Sequence, residues 1–121
     1  MYFFSEGSGR TQVDYKIEEI GYDLEISITG GVIHVGGVGL VAGGVYNILS
    51  VRNHKEFELI QPLADKLKKY NDINILIVAG IHLDEITLDE IREILDNNQK
   101  AIEKIDKYIS SEYEIFHEFH K

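Results

Sequence analysis

The chain has 121 residues, of which 44% are apolar and 27% charged, with a formal net charge of −9 and no cysteine. The missing cysteines exclude disulfides, Cys-ligated zinc and thiol catalysis, and they favour a cytoplasmic protein. The negative charge argues against nucleic acid and anionic membrane surfaces as partners, and the sequence contains no apolar run of the roughly 20 residues that a membrane helix needs.

The length predicts a single domain over residues 1–121. Residues 1–10 contain glycine and serine without a clear periodicity, which predicts an N-terminal arm. The periodic segments lie in residues 11–109, the predicted core. Residues 110–121 are short and mixed in character and are predicted to form a C-terminal tail.

Two alternating segments at the start of the core predict a β-hairpin. Apolar residues alternate with polar ones at Val13, Tyr15 and Ile17, and again at Leu24, Ile26 and Ile28, with a break at residues 21–23. Each strand therefore presents one apolar face.

The following stretch is rich in glycine and β-branched residues and predicts two more strands, Val32–Val35 and Val38–Val51. The second is expected to break near Gly43. Seven of the eleven glycines lie between residues 30 and 44. Such density within strands indicates turns, bulges or a close approach of backbone to another group.

Helical periodicity begins around Phe57, but Pro62 cannot lie deep inside a helix, so the regular helix is predicted to start near Gln61. The continuous apolar run Ile75–Ala79 predicts a strand buried on both faces. Thr87 and Glu90 form a capping box in front of a long apolar stripe, which predicts a helix over Leu88–Ile109.

Four strands, a helix, a strand and a long helix follow one another along the chain. This order indicates an α+β fold: a mainly antiparallel β-sandwich or curved sheet packed with two helices. The glycine-rich apolar stretch at 32–51 is expected to leave a sheet edge or apolar face that a second copy covers, so a homodimer or larger assembly is predicted.

Two short motifs suggest chemistry that their context does not support. The segment Gly37–Ala42 fits the loose dinucleotide pattern G-x-G-x-x-A, but strand-like residues follow it where a helix should begin. A glycine-bulged strand is the better interpretation. The segment His117–His120 is one residue short of the H-E-x-x-H zinc motif.

Three other histidines, His34, His54 and His82, border predicted elements. Three histidines can hold a catalytic zinc ion, so a metal-dependent hydrolase is one hypothesis. Convergence on a pocket without metal is the other. Asp84 and Glu85 follow His82, but negative charge is favourable near the start of a helix in any case. No complete catalytic set is present, which favours an accessory or binding protein over a self-contained enzyme.

Four separated blocks of sequence together resemble a known family. They are Ile20–Leu24, Thr29–Gly36, His54-Lys55 and Ala79–His82 with Ile86-Thr87. Over about residues 20–105 the chain is similar to the LpdD-like prenylated-flavin chaperones, small subunits of gallate decarboxylase-type systems. The resemblance implies a dimeric fold like that of the proteasome-assembly chaperones. It also implies a non-catalytic protein that binds or delivers prenylated FMN to a partner decarboxylase.

The resemblance supplies a candidate cofactor site. The positions that match the family are Gly30, Gly31, His34, Gly36, His54, Gly80 and His82. Beside them, Arg52 and Lys55 are candidates to balance a flavin phosphate, and backbone N–H groups at glycine turns can approach it. Tyr22, Val32, Ile33 or Tyr46 are candidates for an apolar wall. A protein-only assembly chaperone, in which the same residues form an interface, is the main alternative.

Overall fold

The computed structural model describes residues 1–51 and 55–119, and the side chains of residue 55 and of residues 113–119 are outside the described set. The strands and helices follow one another in this order: β1 Tyr2–Glu6, β2 Val13–Ile20, β3 Asp23–Gly31, β4 Gly37–Ala42, β5 Val45–Ser50, α1 Lys55–Leu67, β6 Ile75–His82 and α2 Leu88–Phe119.

The described strands form one six-stranded sheet in the order β1-β2-β3-β6-β4-β5. Strands β3 and β6 are parallel, and all other neighbours are antiparallel. The predicted α+β class, with a mainly antiparallel sheet and two helices, is confirmed, and it takes the form of one sheet rather than a sandwich. Because β6 lies between β3 and β4, the chain must cross the end of β6 to pass from β3 to β4. We call residues 32–36, which make this crossing, the crossover loop.

Both helices pack on the same face of the sheet, since the buried strand residues share that face. Tyr15 pairs with Ile28, Ile28 with Ala79, and Ala79 with Gly37, so one row of the face runs across four strands. The fully buried side chains of this core include Tyr15, Ile17, Ile26, Ile28, Ile60, Leu63, Leu67, Ile75, Ile77, Ile105 and Ile109. The predicted hairpin and the break at Gly43-Gly44 are confirmed.

The N-terminal segment is a strand where an arm was expected. Tyr2–Glu6 pairs with β2, and alternate side chains face the helices. The ring of Tyr2 stacks on that of Tyr108 at 4.3 Å, and Phe4 stacks on Tyr15 at 5.1 Å. The exposed Phe3 between them hides the alternation in the sequence, because three aromatic residues follow one another.

Two further boundaries differ from the prediction. Helix α1 begins at Lys55 rather than near Gln61, so Pro62 lies inside it. A proline in a helix interior lowers stability by about 3 kcal/mol, but complete burial of Leu63, Ala64 and Leu67 offsets that cost for Pro62. The predicted strand Val32–Val35 is the crossover loop instead, because β6 already occupies the place beside β3.

Helix α2 has the predicted capping box. Thr87 N–H donates to Glu90 Oε1 at 3.0 Å, and Glu90 N–H donates to Thr87 Oγ1 at 3.1 Å. The bond from Thr87 and a further bond from Arg10 lower the pKa of Glu90. The helix continues to Phe119, past the predicted end at Ile109, so most of the expected tail is helical.

Buried polar groups tie the middle of α2 to the rest of the molecule. Tyr15 Oη donates to Asn98 Oδ1 at 2.7 Å, and Asn98 Nδ2 donates to the carbonyl of Leu59 at 3.0 Å. Burial raises the pKa of Tyr15 far above its usual range, so this hydroxyl keeps its proton. No helix in the described ranges is long and apolar enough to cross a membrane.

Neither of the two described helices packs on the second face of the sheet. Strand β6 is confirmed, but Leu76 and Val78 on this face are only half-buried, so the strand is buried on one face and not on both. We call this surface the open face. It is charged across β2 and β3, at Asp14, Lys16 and Glu25, and apolar across β6, β4 and β5.

Candidate functional site

A cavity of about 560 Å³ lies where the two helices begin, beside the crossover loop and the end of β6. Its volume falls within the roughly 300–1,000 Å³ that is usual for small-molecule sites. The residues that line it are Val32, His34, Val35, Gly36, Val51, Glu56, Glu58, Leu59, Ile81, His82, Leu83, Ile86, Ile91, Ile94 and Leu95.

The walls are mostly apolar and come from elements that diverge at this end of the molecule. Helix α2 supplies Ile91, Ile94 and Leu95 from its first turns, and α1 supplies Leu59. These positions continue the apolar stripe that packs on the sheet further along α2. Near the start of the helix Ile94 is still buried, but Ile91 and Leu95 are only half-buried and border the cavity. An apolar ring of a ligand would bury this surface.

His34 and His82, two of the three histidines singled out in the sequence, lie together at the cavity. Their rings meet edge to face with centroids 6.3 Å apart. His34 Nε2 is 3.4 Å from Glu56 Oε1, and His82 Nε2 is 3.0 Å from Asp84 Oδ1. The His34 and His82 side chains are 40% and 55% exposed, so both can reach a ligand without rearrangement of the core.

Around this cavity, three glycines among the predicted site residues lie where another part of the chain comes very close to the backbone. A side chain at Gly80 would collide with the carbonyl of His34, because the crossover loop passes directly over that position. A side chain at Gly36 would collide with the carboxylate of Glu56. Gly31 has a positive φ of 59° and packs on the carbonyl of His82. Of the three, Gly36 lines the cavity, while Gly31 and Gly80 support the residues that do.

The other predicted site residues lie elsewhere or outside the described set. Gly30 packs against the backbone of Gln12 and does not line the cavity. Arg52 and His54 lie outside the described residues. Lys55 is the first residue of α1, and its side chain lies outside the described set. Ligand contact by any of these residues therefore stays a prediction.

The expected apolar wall is formed by different residues, apart from Val32. Ile33 is exposed and does not line the cavity. Tyr22 borders a small depression at the other end of β3, and Tyr46 Oη donates to Asp65 at 3.0 Å. Sequence periodicity identified the apolar stripe of α2, but it gave no sign that part of this stripe faces a cavity.

Glu56 is the site residue that the sequence did not single out. It lies in the first turn of α1, where an acidic residue is ordinary, and only its burial to 6% exposure distinguishes it. A carboxylate so deeply buried is uncommon without a partner. It lies at the edge of the cavity and is therefore a candidate to contact a ligand.

The metal hypothesis has no support among the described side chains, those of residues 1–51 and 56–112. Among them, no group of three or more His, Cys, Asp or Glu could hold a metal ion. His34 and His82 are adjacent, but the third histidine of the proposed set, His54, lies outside these ranges.

Comparison with known proteins identifies the family. The family model described as prenylated flavin chaperone LpdD-like domain matches residues 7–110. The chain belongs to this family. The match includes every described residue that lines the cavity, and it confirms the resemblance drawn from the sequence blocks. No curated protein matches the chain. Membership in the LpdD-like family supports a general role as a prenylated-flavin chaperone.

Proposed function

We propose that this protein binds prenylated FMN in the cavity beside His34 and His82 and delivers it to a partner decarboxylase, without catalysing a reaction itself. The observation that carries the proposal is the position of the cavity. It is large and mostly apolar, and it is bordered by His34, Gly36 and His82, three of the positions that the family resemblance selects.

The cavity suits a flavin ring in both shape and chemistry. Ile94, Leu95 and Leu83 offer apolar surface to the ring system and to the added prenyl group. His34 and His82 offer ring nitrogens to the polar edge of the flavin. Both imidazoles are partly exposed, so the bound ligand stays accessible to a partner protein, as delivery requires.

The phosphate would lie in solvent outside the cavity. Arg52 and Lys55 add two positive charges in the sequence at the point where α1 begins. We assign partial neutralisation of the phosphate to these residues as part of the proposal, and ion pairs made in solvent contribute about 1 kcal/mol or less.

A binding titration tests the proposal. Prenylated FMN, with FMN as its stable surrogate, is added to the native protein, and the dissociation constant is measured by fluorescence and calorimetry. His34→Ala and His82→Ala should each weaken binding by about tenfold, because each loses a hydrogen bond to the ligand. His117→Ala, which lies beyond the residues that match the family, is the control and should leave affinity unchanged.

We also propose that a second copy of the chain covers the apolar half of the open face. Leu40, Val45 and Leu49 are 51%, 65% and 71% exposed, and they lie beside Val38 and Val78. No Asp, Glu, Lys or Arg occurs between residues 32 and 51 in a chain of net charge −9. This patch can therefore meet its own copy without like-charge repulsion.

Sedimentation or light scattering tests this assembly. The native protein should show at least twice the 13.8 kDa mass of one chain at micromolar concentration. Leu40→Asp with Leu49→Asp should give monomers, while Lys16→Glu on the charged half should not. A native protein that stays at 13.8 kDa would remove the homodimer proposal.

The exposed apolar half of the open face also favours a second candidate, a protein-only assembly chaperone. In this alternative the patch binds a decarboxylase subunit directly, and the cavity carries no cofactor. Absence of binding to every flavin tested, together with tight binding to a decarboxylase subunit, would leave this candidate and remove the cofactor proposal.

A further inference from the structure

The proposed flavin site contains a largely buried carboxylate, that of Glu56, which borders the cavity. Glu56 is 6% exposed, lines the cavity and packs on the backbone of Gly36. The polar side chain near its carboxylate is His34, with 3.4 Å between Nε2 and Oε1. No lysine or arginine lines the cavity among the described residues.

His34 lies between two acceptors. Its Nδ1 is 3.3 Å from the carbonyl oxygen of Val32, and its Nε2 faces the carboxylate of Glu56. A neutral imidazole has one N–H, so it can donate to only one of the two. If that N–H points to Val32, no side chain that lines the described cavity donates to Glu56, and its carboxylate is left to water in the cavity. A ligand that brings its own N–H donor replaces that water with a charge-assisted hydrogen bond.

We infer that the flavin enters this cavity ring first, with Glu56 accepting a hydrogen bond from a ring N–H and the phosphate remaining outside. This assignment rests on the proposed function. The pyrimidine edge of a flavin carries an N–H at N3 between two carbonyl groups. Glu56 matches the N–H, and an N–H of His34 or His82 matches a flanking carbonyl.

The carboxylate of Glu56 also disfavours the reverse orientation, in which the phosphate would enter the cavity first. A phosphate dianion in the cavity would lie close to Glu56, with Glu58 also in the lining and no described cation to balance either. Like charges repel strongly where apolar walls exclude water. The cavity therefore selects for the ring and against the phosphate, and the phosphate contributes little to affinity.

Ligands that differ in one group test this orientation. FMN, riboflavin and N3-methylriboflavin are titrated against the native protein. Riboflavin, which lacks only the phosphate, should bind within about threefold of FMN, a difference of well under 1.4 kcal/mol. N3-methylriboflavin, which lacks the donor, should bind at least about tenfold more weakly than riboflavin.

Variants assign the effect to one residue. Glu56→Gln should weaken riboflavin by about tenfold and reduce the penalty for N3 methylation, because the charged acceptor is lost. Glu103→Gln, at an exposed glutamate of α2 that does not line the cavity, is the control and should change affinity by less than about threefold. If Glu56→Gln fails to fold, the comparison of riboflavin with its N3-methyl derivative still decides the question in the native protein.

The outcomes separate this inference from the function on which it rests. If riboflavin binds more than about thirtyfold more weakly than FMN, and Glu56→Gln tightens FMN binding, the phosphate lies inside and the orientation is wrong while flavin binding stands. If no flavin binds at all, both the orientation and the proposed function are overturned.

Discussion

The middle of α2 and its first turns belong to one amphipathic helix, yet they meet the rest of the molecule in different ways. In the middle, Asn98, Ala101 and Ile105 are buried against the sheet and α1. The polar side chain among them is hydrogen-bonded at both ends. In the first turns, Ile91 and Leu95 line a cavity instead. One helix therefore builds a closed core and an open site.

The contrast between the two parts of α2 separates the residues that stabilise the fold from those that can bind a ligand. Satisfied polar groups and complete packing fix α2 in one position on the sheet. That fixed helix can then leave apolar side chains uncovered near its start, at the cavity that Gly36 of the crossover loop also borders. Substitutions in the middle should lower stability, while substitutions in the first turns should change ligand binding.

The largest effect is expected from Ile77→Ala in the core. Ile77 is fully buried on the central strand β6, between Ile26 and Gly39. Loss of the side chain should lower the free energy of unfolding by about 2–5 kcal/mol, measured by urea denaturation. If the free energy of unfolding falls by less than about 1 kcal/mol, the core between the sheet and the helices is less closely packed than the structure shows.

Asn98→Ala should cost about 2–3 kcal/mol, since it removes the acceptor of the buried Tyr15 hydroxyl and the side-chain bond to the Leu59 carbonyl. Asn97→Ala is the matched control. Asn97 donates one bond to the carbonyl of Thr11 from a partly exposed position, so its loss should cost about 1 kcal/mol or less. Equal effects at the two positions would contradict the assignment of Asn98 as the anchor of α2.

Gly80→Ala should lower stability by about 1–3 kcal/mol and weaken flavin binding as well, because the crossover loop must move away from the new methyl group. Gly43→Ala in the β4–β5 turn meets no neighbouring atoms and has a φ of 60°. It should cost about 1–2 kcal/mol from its backbone conformation and leave affinity unchanged. Thermal unfolding and FMN titration of both variants check this pair.

Unlike the core substitutions, Leu95→Trp is expected to change ligand affinity more than stability. The larger ring can occupy the cavity, so stability should change by less than about 1.5 kcal/mol while flavin affinity falls at least about tenfold. Leu88→Trp is the control, since Leu88 is 72% exposed at the start of the same helix. Unchanged affinity in Leu95→Trp would place the ligand elsewhere.

The smallest effect concerns acid stability at Asp106, in the part of α2 that contacts Tyr70. Burial alone would raise the pKa of Asp106, but hydrogen bonds from Tyr70 and Lys69 outweigh it and lower that pKa below its usual 3.8. A depressed folded pKa stabilises the protein above the usual value, and that stability is lost as the pH falls through the folded value. Asp106→Asn should thus cost about 1 kcal/mol near pH 6 and much less near pH 2, by chemical denaturation.

The sequence predicted the elements in which local pattern and tertiary packing agree. Alternation gave β2 and β3, Gly43-Gly44 gave the β4–β5 turn, and Thr87 with Glu90 gave the start of α2. Prediction failed where packing overrides a local signal. Pro62 indicates a helix start, but the buried residues after it hold α1 in a helix that began seven residues earlier.

The sequence also identified only some of the residues of the candidate site, because others are brought there by tertiary packing. His34, Gly36 and His82 were identified together, although they come from different parts of the chain. The crossover loop was read as a strand, because nothing in residues 32–36 shows that β6 inserts beside β3. Glu56 was missed because a first-turn glutamate looks the same in sequence whether it faces solvent or a cavity.

Methyl NMR of the native protein with FMN or prenylated FMN tests the central claim most directly. Labelled Ile and Leu methyl groups report both candidate surfaces in one experiment. The account predicts that Leu83, Ile91, Ile94 and Leu95 shift as the ligand is added, while Leu40 and Leu49 on the open face do not. Shifts confined to Leu40 and Leu49, or none at any of these methyl groups at saturating ligand, would contradict it.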